Sequence, residues 1–375
     1  MNKTSAVFWT EAQRLSSLQL SLIRKVMESA PAGAINLALG ELGFPMPDSL
    51  KDKAIQLLQD GNPVYTPNAG LPDLREAIAL DYSCGAEANQ VIVCNGAEEA
   101  VFITLMALLN PGDIIAIPDP DYPAYPSIAK IFDAKVLRLH FQDSFCGIDW
   151  GLWEKILSSG VKAVLLSTPS NPSGFSFSAA EAELFGSICN RYGIIVIVDE
   201  IYARLFFRQP PRSLQYQVEQ LIRIGGLSKS HCMSGWRLGW ILAPKEITPA
   251  MIKAKQYVST CSHWLSQKLA IYALSPEGLR ASESIRQKLL LSRDYFISSV
   301  AAKPIKDVTQ YFFPDASPYV MLKIDGDDLD FATKLAIKQV ITVPGRAFGE
   351  STTGWLRINL GVETALLAKA LQLIS

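Results

Sequence analysis

A lysine and an arginine stand eight residues apart in a segment that carries no other formal charge. The segment reads GGLSKSHCMSGWRLGW over residues 225–240, with Lys229 just after the apolar run LIRI and Arg237 among small residues. A lysine amine can form an imine with an aldehyde, and the guanidinium fork of an arginine suits phosphate oxygens. Lysine is usually a solvated surface residue, but a segment this rich in apolar and small residues makes a poor surface helix. The pair therefore indicates a site for a small molecule with an aldehyde and a phosphate.

An aspartate and a tyrosine follow another apolar run. Asp199 comes directly after the run IIVIV (194–198), and Tyr202 comes three residues later. A carboxylate at the end of a strand could keep a pyridine nitrogen protonated, which strengthens the ring as an electron sink. The tyrosine hydroxyl could donate to a ring phenolate. For Asp199 alone, an N-cap that starts the next helix is an equally good interpretation.

Two turns that follow apolar runs offer further polar groups. Asn171 lies in STPSNPSGF (167–175), where its amide could bond a ring oxygen, although taken alone it is a turn residue. Gly96 and Ala97 open a predicted helix soon after the run VIVC (91–94), where exposed N–H groups and the helix dipole suit a phosphate. Pyridoxal phosphate has an aldehyde, a phosphate, a phenolic oxygen and a pyridine nitrogen, and the sequence offers a partner for each. We therefore expect pyridoxal phosphate as the cofactor, bound as an imine to Lys229.

Seven short apolar runs between Val91 and Ala243 alternate with amphipathic stretches of helical spacing. Most of the runs are continuously apolar, which is typical of parallel strands that are covered on both faces. The pattern predicts an α/β fold, with a doubly wound, mostly parallel seven-stranded sheet in a large domain over residues 48–275. Ligands bind at the strand ends of such sheets, where the polar residues above lie. The runs are VIVC (91–94), IIAI (114–117), KVLRL (135–139), AVLLS (163–167), IIVIV (194–198), LIRI (221–224) and GWILA (239–243).

The two ends of the chain lack this alternation of apolar runs and helical stretches. Residues 1–47 contain one helix pattern and the turn-rich GELGFPMP, and residues 276–375 combine helical patterns with the strand-like runs YVMLKI and RINL. We expect the two flanks to form one smaller α+β domain.

Composition argues against several other functions. The 375 residues are 49% apolar, with a formal net charge of −1 and no basic stripe, so neither a nucleic-acid partner nor a membrane partner is expected. Six cysteines without a CxxC pair, and only three histidines, predict no metal site. The N-terminus lacks the apolar core of a signal peptide, and no run reaches membrane-spanning length, so a reducing cytoplasm is expected. A nicotinamide dehydrogenase would need a G-x-G-x-x-G fingerprint, which is missing after the first strand.

The polar groups described above resemble, in order and spacing, those of the class I/II aminotransferases, which are fold type I pyridoxal phosphate enzymes. The similarity extends over nearly the whole chain. The lysine segment is specific, whereas the other matching segments are weak singly and strong together. Those other segments are INLALGELGFPMP (35–47), YTPNAGLPDLREAIA (65–79), DPDYPAY (119–125), PGRAFG (344–349) and WLRINL (355–360).

This resemblance implies roles that spacing alone cannot supply. It implies a homodimeric aminotransferase, in which the α-amino group of an amino acid passes to a 2-oxo acid in two half-reactions. Lys229 would move the proton between the substrate carbon and the cofactor carbon. The other implied roles are stacking on the cofactor ring by Tyr122, a cofactor contact by Ser228, a phosphate contact from the partner subunit by Tyr65, contacts of Asn171 with cofactor and substrate, a bidentate clamp on the substrate carboxylate by Arg357, and a backbone donor to that carboxylate at Gly40.

Four positions depart from the common family pattern. Gly226 stands where many relatives have a phosphate-binding serine, and Cys232 stands where a smaller or aliphatic residue is usual. Glu98 lies near a position where some bacterial aspartate-type relatives carry a lysine, and its charge would repel a distal substrate carboxylate. We therefore expect an enzyme that is not dedicated to aspartate. His231 is expected to be a solvated helix residue rather than a group behind the active site.

Two other functions remain open at this stage. Another pyridoxal phosphate reaction on an α-amino acid, of the lyase, decarboxylase, cyclase or oxidase type, would use the same Lys229 and Asp199. A catalytically silent regulator could share the fold, although the chemical groups of an enzyme are all present. We favour transamination because a carboxylate that is held by Arg357 is less readily lost as CO₂.

Overall fold

Strands and helices alternate through most of the chain. The computed structural model describes residues 10–16, 18, 20, 22–28, 30–82, 85–142, 145 and 147–374. The expected lack of a signal peptide concerns residues 1–9, which lie outside the described residues. Within the described residues the strands are β1 (Ile35–Asn36), β2 (Val91–Cys94), β3 (Ile114–Asp119), β4 (Lys135–Gln142), β5 (Gly147–Ile148), β6 (Val161–Ser167), β7 (Ile195–Asp199), β8 (Leu221–Gly226), β9 (Gly239–Leu242), β10 (Val308–Phe312), β11 (Tyr319–Ile324), β12 (Val340–Ile341), β13 (Val343–Pro344) and β14 (Trp355–Asn359). The helices are α1 (Gln13–Ser16), α2 (Leu22–Glu28), α3 (Asp48–Asp60), α4 (Pro72–Tyr82), α5 (Ala97–Leu108), α6 (Ala124–Ile131), α7 (Trp150–Leu157), α8 (Ala179–Arg191), α9 (Thr248–Val258), α10 (Trp264–Ala273), α11 (Pro276–Ala302), α12 (Asp328–Ile337) and α13 (Thr364–Ile374).

An eight-stranded sheet contains all seven strands that the apolar runs predict. Its order is β2-β9-β8-β7-β6-β3-β4-β5, and the pairs from β8 through β4 are parallel. Strand β9 pairs antiparallel with both β2 and β8. The eighth strand, the two-residue β5, extends one edge antiparallel to β4. The mostly parallel α/β sheet predicted from the sequence is therefore confirmed.

Alternate side chains of the strands pack on opposite faces of this sheet. In β7, Ile197 belongs to the apolar cluster formed with α5 and α9, whereas Val196 and Val198 belong to the cluster formed with α7 and α8. All three side chains are fully buried. Burial on both faces, which contributes roughly 25 cal/mol per Å² of apolar area, explains why these strands are continuously apolar.

Helices α5 and α8 begin at local sequence signals. The Ser178 hydroxyl accepts from the Glu181 N–H at 3.3 Å, and the Glu181 carboxylate accepts from the Ser178 N–H at 2.8 Å. This capping box starts α8 by satisfying two N–H groups that would otherwise lack a partner. Helix α5 begins at Ala97, directly after Gly96. In the described part of the chain, every helix is too short or too polar to cross a membrane.

A separate antiparallel sheet of four strands is built from the C-terminal part of the chain. Its order is β10-β11-β14-β13, and residues of α11, α12 and α13 share its core. The N-terminal flank joins this unit, because β1 pairs with β12 and the side chains of Leu37, Leu42 and Phe44 lie in the same core. We propose that the boundary between the units runs as the sequence suggests, with 48–275 as the large domain and 1–47 with 276–375 as the small one.

Candidate active site

The lysine predicted to bind a cofactor lies in a tight turn just past the end of β8. In this turn the His231 N–H donates to the Leu227 carbonyl at 3.2 Å, and the Cys232 N–H donates to the Lys229 carbonyl at 3.4 Å. The Lys229 side chain is half-buried. Burial lowers the pKa of its ammonium group, although the charge of Glu41 acts in the opposite direction. A lowered pKa increases the share of neutral amine, which is the form that attacks an aldehyde.

Asp199 lies at the same edge of the sheet, as the last residue of β7 and paired with Ile224 of β8. It is 6% exposed, and its oxygens accept hydrogen bonds from the Tyr125 hydroxyl at 2.8 Å and from the Ile201 N–H at 3.0 Å. Burial raises the pKa of this carboxyl to about 6, even though the hydrogen bonds and the charge of Lys229 lower it. A cation beside Asp199 would therefore be stabilised, and a protonated pyridine nitrogen is such a cation.

The partner of Asp199 is a tyrosine that sequence patterns do not identify. The residues after Asp199 form a turn rather than a helix, so the carboxylate caps no regular helix. Tyr125 lies three residues after Tyr122, and their rings meet edge to face with centroids 5.4 Å apart. The segment DPDYPAY points to an aromatic loop, but only the fold shows that its second tyrosine reaches the carboxylate.

The raised pKa of Asp199 predicts how the stability of the cofactor-free protein depends on pH. A carboxyl whose pKa is about 6 in the folded protein, against an ordinary 3.8, stabilises the fold most below pH 3.8. This contribution is lost as the pH rises through 6, because the charge must then form in a buried place. Relative to Asp199→Asn, the free energy of unfolding of the wild type should therefore fall by about 2.5 kcal/mol between about pH 4 and pH 7.

Denaturant unfolding of the two cofactor-free proteins, at a series of pH values, measures this difference. Asp121 is another carboxyl whose pKa is raised by burial, to about 7, and it titrates in both proteins, so its effect cancels. A difference between the proteins that stays constant with pH would show that Asp199 ionises without hindrance.

Arg357 is a buried guanidinium without an acidic partner. It projects from β14 with 1% exposure, and its central carbon lies 4.2 Å and 4.7 Å from the ring centroids of Tyr319 and Phe348. One terminal nitrogen donates to Asn171 Oδ1 at 2.7 Å and the other to the Ala38 carbonyl, while Nε has no partner. None of the ion pairs among the described residues includes Arg357. Burial lowers its pKa, so an anionic ligand would relieve the desolvated charge.

Tyr202 and Gly40 meet at a second tyrosine that sequence patterns do not identify. The hydroxyls of Tyr202 and Tyr319 are hydrogen-bonded at 2.6 Å, and their rings meet edge to face. A Cβ on residue 40 would lie 2.6 Å from the Tyr319 hydroxyl oxygen. A larger residue at position 40 would therefore displace the tyrosine pair. Tyr319 begins the predicted strand YVMLKI, where it carries no local signal of a role in the site.

The predicted phosphate-binding groups lie together at the N-terminus of α5. Gly96 precedes the helix with φ of +97°, and a Cβ on it would overlap the Arg237 guanidinium. Arg237 donates to the Asn95 carbonyl at 3.4 Å. Together with the unpaired N–H groups that open a helix at Ala97, these groups form a cradle suited to a dianion. Ser228 is buried beside the lysine in the turn after β8.

Gly226, which stands in the place of a serine in many relatives, is closely packed. A Cβ here would lie 2.9 Å from the Leu238 carbonyl oxygen and 3.0 Å from Ile201 Cδ1. The chain between β8 and β9 thus leaves little space for a side chain, and the phosphate contact of that serine has no counterpart at this position.

The expectation that His231 is a solvated helix residue is wrong. Its side chain is fully buried, in a turn rather than a helix. Its Nε2 donates to the Ala273 carbonyl at 3.0 Å, and its Nδ1 bonds the Ser230 hydroxyl at 2.8 Å. Burial lowers its pKa to about 4, so the ring is neutral at pH 7. His231 therefore ties the lysine turn to the end of α10, a contact that depends on packing and not on local sequence.

Four further residues lie at the rim or outside this group. Tyr65 is 90% exposed, and Tyr122 is half-buried next to Tyr125. Glu98 is exposed in the first turn of α5, where its charge adds to burial in raising the pKa of the Tyr122 phenol. Burial raises the pKa of the Cys232 thiol to about 12, so this cysteine stays protonated and unreactive.

Known proteins resemble this chain over nearly its full length. The sequence model of the family described as "Aminotransferase class I and II" matches residues 32–374. A probable aspartate aminotransferase of Methanocaldococcus jannaschii is 29% identical over 97% of this chain and 98% of its own. A probable N-acetyl-LL-diaminopimelate aminotransferase of Bacillus subtilis is 30% identical over 94% of this chain and 92% of its own. The aspartate aminotransferase structure from Thermotoga maritima superposes with a TM-score of 0.88 at 27% identity, over 97% of this chain and 98% of that one.

Proposed function

Since this chain belongs to the class I and II aminotransferase family and is an aminotransferase, we propose that it uses pyridoxal phosphate to move the α-amino group of an amino acid to a 2-oxo acid in two successive half-reactions. One observation carries this proposal. Arg357 is a buried cation with no acidic partner among the described residues, and its charge acts on Lys229 at the sheet edge. An α-carboxylate is the anion that fits there.

Two features of the described residues support pyridoxal phosphate as the cofactor. The carboxyl of Asp199 has a raised pKa that a ring cation would lower again, and Gly96 leaves a cradle beside Arg237 that any larger residue would fill. When bound, this cofactor withdraws electrons from the substrate and makes the C–H bond at its α-carbon acidic. The residues proposed to hold it are Gly96, Ala97, Tyr122, Asn171, Asp199, Tyr202, Ser228, Lys229, Arg237 and Tyr65 of a second subunit.

Lys229 is proposed to move the proton. Burial lowers the pKa of its ammonium group, which increases the share of neutral amine. A neutral amine can accept the proton from the α-carbon of the substrate, and the resulting ammonium can return it on the cofactor side. Tyr202 is proposed to orient the cofactor through its hydroxyl, which the Tyr319 hydroxyl holds in place.

Arg357, Asn171 and the backbone at Gly40 are proposed to hold the substrate α-carboxylate. The Nε of Arg357 has no partner, and with a terminal nitrogen it forms the fork that pairs with two carboxylate oxygens. A carboxylate that is held this way stays bonded to the α-carbon of the substrate, so the proton leaves the α-carbon instead. This favours transamination over decarboxylation, the chief alternative.

The substrate side chain is proposed to be one without a second carboxylate. The relatives are named for aspartate and for N-acetyl-LL-diaminopimelate, and these names give no single donor. Glu98 lies where its charge acts on the Tyr122 hydroxyl. A distal carboxylate in this place would be repelled, so we propose that aspartate is not the preferred donor.

A panel of amino donors tests this function. Enzyme loaded with pyridoxal phosphate is mixed with each common amino acid and with pyruvate or 2-oxoglutarate, and new amino acids are quantified by chromatography. We expect amino transfer, with a higher kcat/KM for donors with uncharged side chains than for aspartate. Release of ammonia or CO₂ without any new amino acid would assign the enzyme to the lyase or decarboxylase class instead.

We propose a homodimer in which Tyr65 reaches the phosphate site of the partner subunit. Tyr65 is 90% exposed, and Leu58 and Val64 close to it in the chain are also exposed. A second subunit would cover such apolar surface. Sedimentation at the mass of one 41.1 kDa chain, rather than twice that mass, would contradict the dimer.

We propose a cytoplasmic setting. It is supported by the four cysteines in the described residues that are free thiols, which a reducing compartment preserves. These are Cys94, Cys189, Cys232 and Cys261. Fractionation of the source cells with an antibody against the chain would test the compartment.

A further inference from the structure

A buried ion pair lies behind the phosphate end of the site. The Lys255 side chain on α9 is 0% exposed, and its ammonium lies 3.2 Å from Glu99 Oε2 and 2.9 Å from the Ser259 hydroxyl. Glu99, in the first turn of α5, is 13% exposed. Lysine is almost never fully buried unless it is paired, and removing both charges from water is costly. No step of the proposed reaction uses this pair, so its presence calls for another explanation.

Glu99 fixes the turn that carries the phosphate-binding groups. Its carboxylate accepts from the Asn95 N–H and, at 3.1 Å, from the Asn95 side-chain amide. Asn95 directly precedes Gly96, and its carbonyl accepts from Arg237 Nη2 at 3.4 Å. One carboxylate thus holds the Asn95–Gly96 turn and, through it, the arginine that faces the phosphate cradle.

The charge of Glu99 is unfavourable for this arrangement unless it is compensated. A carboxylate in the first turn of a helix is stabilised by the helix dipole, but a phosphate would occupy the same helix end, and like charges repel. Burial raises the pKa of Glu99, but hydrogen bonds from Asn95 and Ser259 and the charge of Lys255 outweigh it, so the pKa lies below its ordinary value. Glu99 is therefore ionised at neutral pH. Lys255 supplies the positive charge that offsets it.

We propose that Glu99 and Lys255 are positioning residues for the cofactor phosphate: Glu99 holds the Asn95–Gly96 turn, and Lys255 cancels the charge of Glu99 so that a dianion can bind at α5. This inference rests on the proposed function, because it needs a phosphate at this helix end. It predicts that the pair strengthens binding of the cofactor phosphate and leaves binding of the cofactor ring unchanged.

The test compares pyridoxal phosphate with pyridoxal, which has the same ring and aldehyde but no phosphate. Dissociation constants for both compounds are measured by absorbance titration of the cofactor-free wild type and of Lys255→Met. Lys255→Met should bind pyridoxal phosphate at least about 10-fold more weakly, because Glu99 is then an uncompensated anion near the phosphate. Its dissociation constant for pyridoxal should change by less than about 2-fold, because pyridoxal has no phosphate that Glu99 could repel.

Three further variants control this comparison. Lys253→Met removes an exposed lysine from the same helix and should leave both dissociation constants as in the wild type. The double variant Lys255→Met/Glu99→Gln removes both charges but keeps an acceptor for the Asn95 N–H. It should recover the affinity for pyridoxal phosphate to within about 3-fold of the wild type. Should Lys255→Met fail to fold, Lys255→Gln keeps a donor toward Glu99 and Ser259 without the charge and allows the same comparison.

The proposal is overturned if the ratio of the two dissociation constants is the same in Lys255→Met as in the wild type, which includes the case in which the variant binds both compounds equally weakly. A double variant that binds as weakly as Lys255→Met also overturns it, because charge compensation would then not be the cause. The proposed function fails in a different way. Wild-type protein that binds neither compound would contradict the cofactor itself.

Discussion

Lys229→Ala is expected to lower kcat for amino transfer by at least about 10⁴-fold. The variant loses the amine that holds the cofactor aldehyde and the group that moves the proton at the α-carbon. Neighbouring groups cannot replace it, because Asp199 is bonded to Tyr125 and the Tyr202 hydroxyl is bonded to that of Tyr319. Steady-state kinetics at saturating substrate measure the loss. Borohydride reduction followed by peptide mass analysis should find the cofactor on residue 229 of the wild type alone.

Lys229→Arg separates the charge of the lysine from its ability to give up a proton. A guanidinium keeps the positive charge, but it stays protonated at every accessible pH and can neither attack an aldehyde nor accept a proton. We therefore expect the arginine variant to be as inactive as the alanine variant, while Lys253→Met, on the exposed face of α9, keeps wild-type activity. Activity of Lys229→Arg within about 10-fold of the wild type would show that position 229 acts through its charge and not through proton transfer.

Strand order explains why the sequence predicts one half of the candidate site. Asn171, Asp199 and Lys229 lie at or just after the ends of β6, β7 and β8, which are adjacent parallel strands in the sheet. Residues that follow neighbouring parallel strands meet at the same edge. Recognising the strands and the chemical types of the residues after them is therefore enough to bring these three side chains together.

The other half of the site depends on contacts that no local pattern reports. Arg357 comes from the separate antiparallel sheet, 186 positions away in the chain from its partner Asn171. It is identified only through the resemblance of WLRINL to a family segment. Tyr125 and Tyr319 stand in ordinary aromatic and strand contexts, so their bonds to Asp199 and Tyr202 are evident only from the packed fold.

The burial of His231 also could not be predicted from the local sequence. His231 stands two residues after the functional lysine, and the expectation that it is solvated rests only on the frequent exposure of histidine in proteins. Whether it is exposed depends on α10, whose last carbonyl, that of Ala273, accepts its Nε2–H. The burial of a residue in a turn thus depends on the elements that pack on the turn, and it cannot be predicted from the spacing of residues within the turn.

Arg357→Lys is expected to lower kcat/KM for amino acids by about 10²–10³-fold. The two terminal nitrogens of Arg357 are fixed by Asn171 Oδ1 and the Ala38 carbonyl, and the rings of Tyr319 and Phe348 flank its plane. A lysine keeps the charge but loses the planar fork, so the paired bonds to a carboxylate are lost. Steady-state kinetics with the best donor measure the effect. The dissociation constant for pyridoxal phosphate should stay at its wild-type value.

A comparison of two substrates shows whether Arg357 acts on the carboxylate itself. An amine that matches the donor but lacks its α-carboxylate offers nothing for Arg357 to hold, so the wild type and Arg357→Lys should process it at equal, low rates. Arg280→Lys is the matched control, because the Arg280 side chain is 70% exposed and pairs with Glu277 on the surface. If Arg357→Lys loses as much rate with the amine as with the amino acid, Arg357 supports the site through Asn171 and Ala38. If the loss is confined to the amino acid, the buried guanidinium is the group that keeps the carboxylate in place while the α-proton leaves.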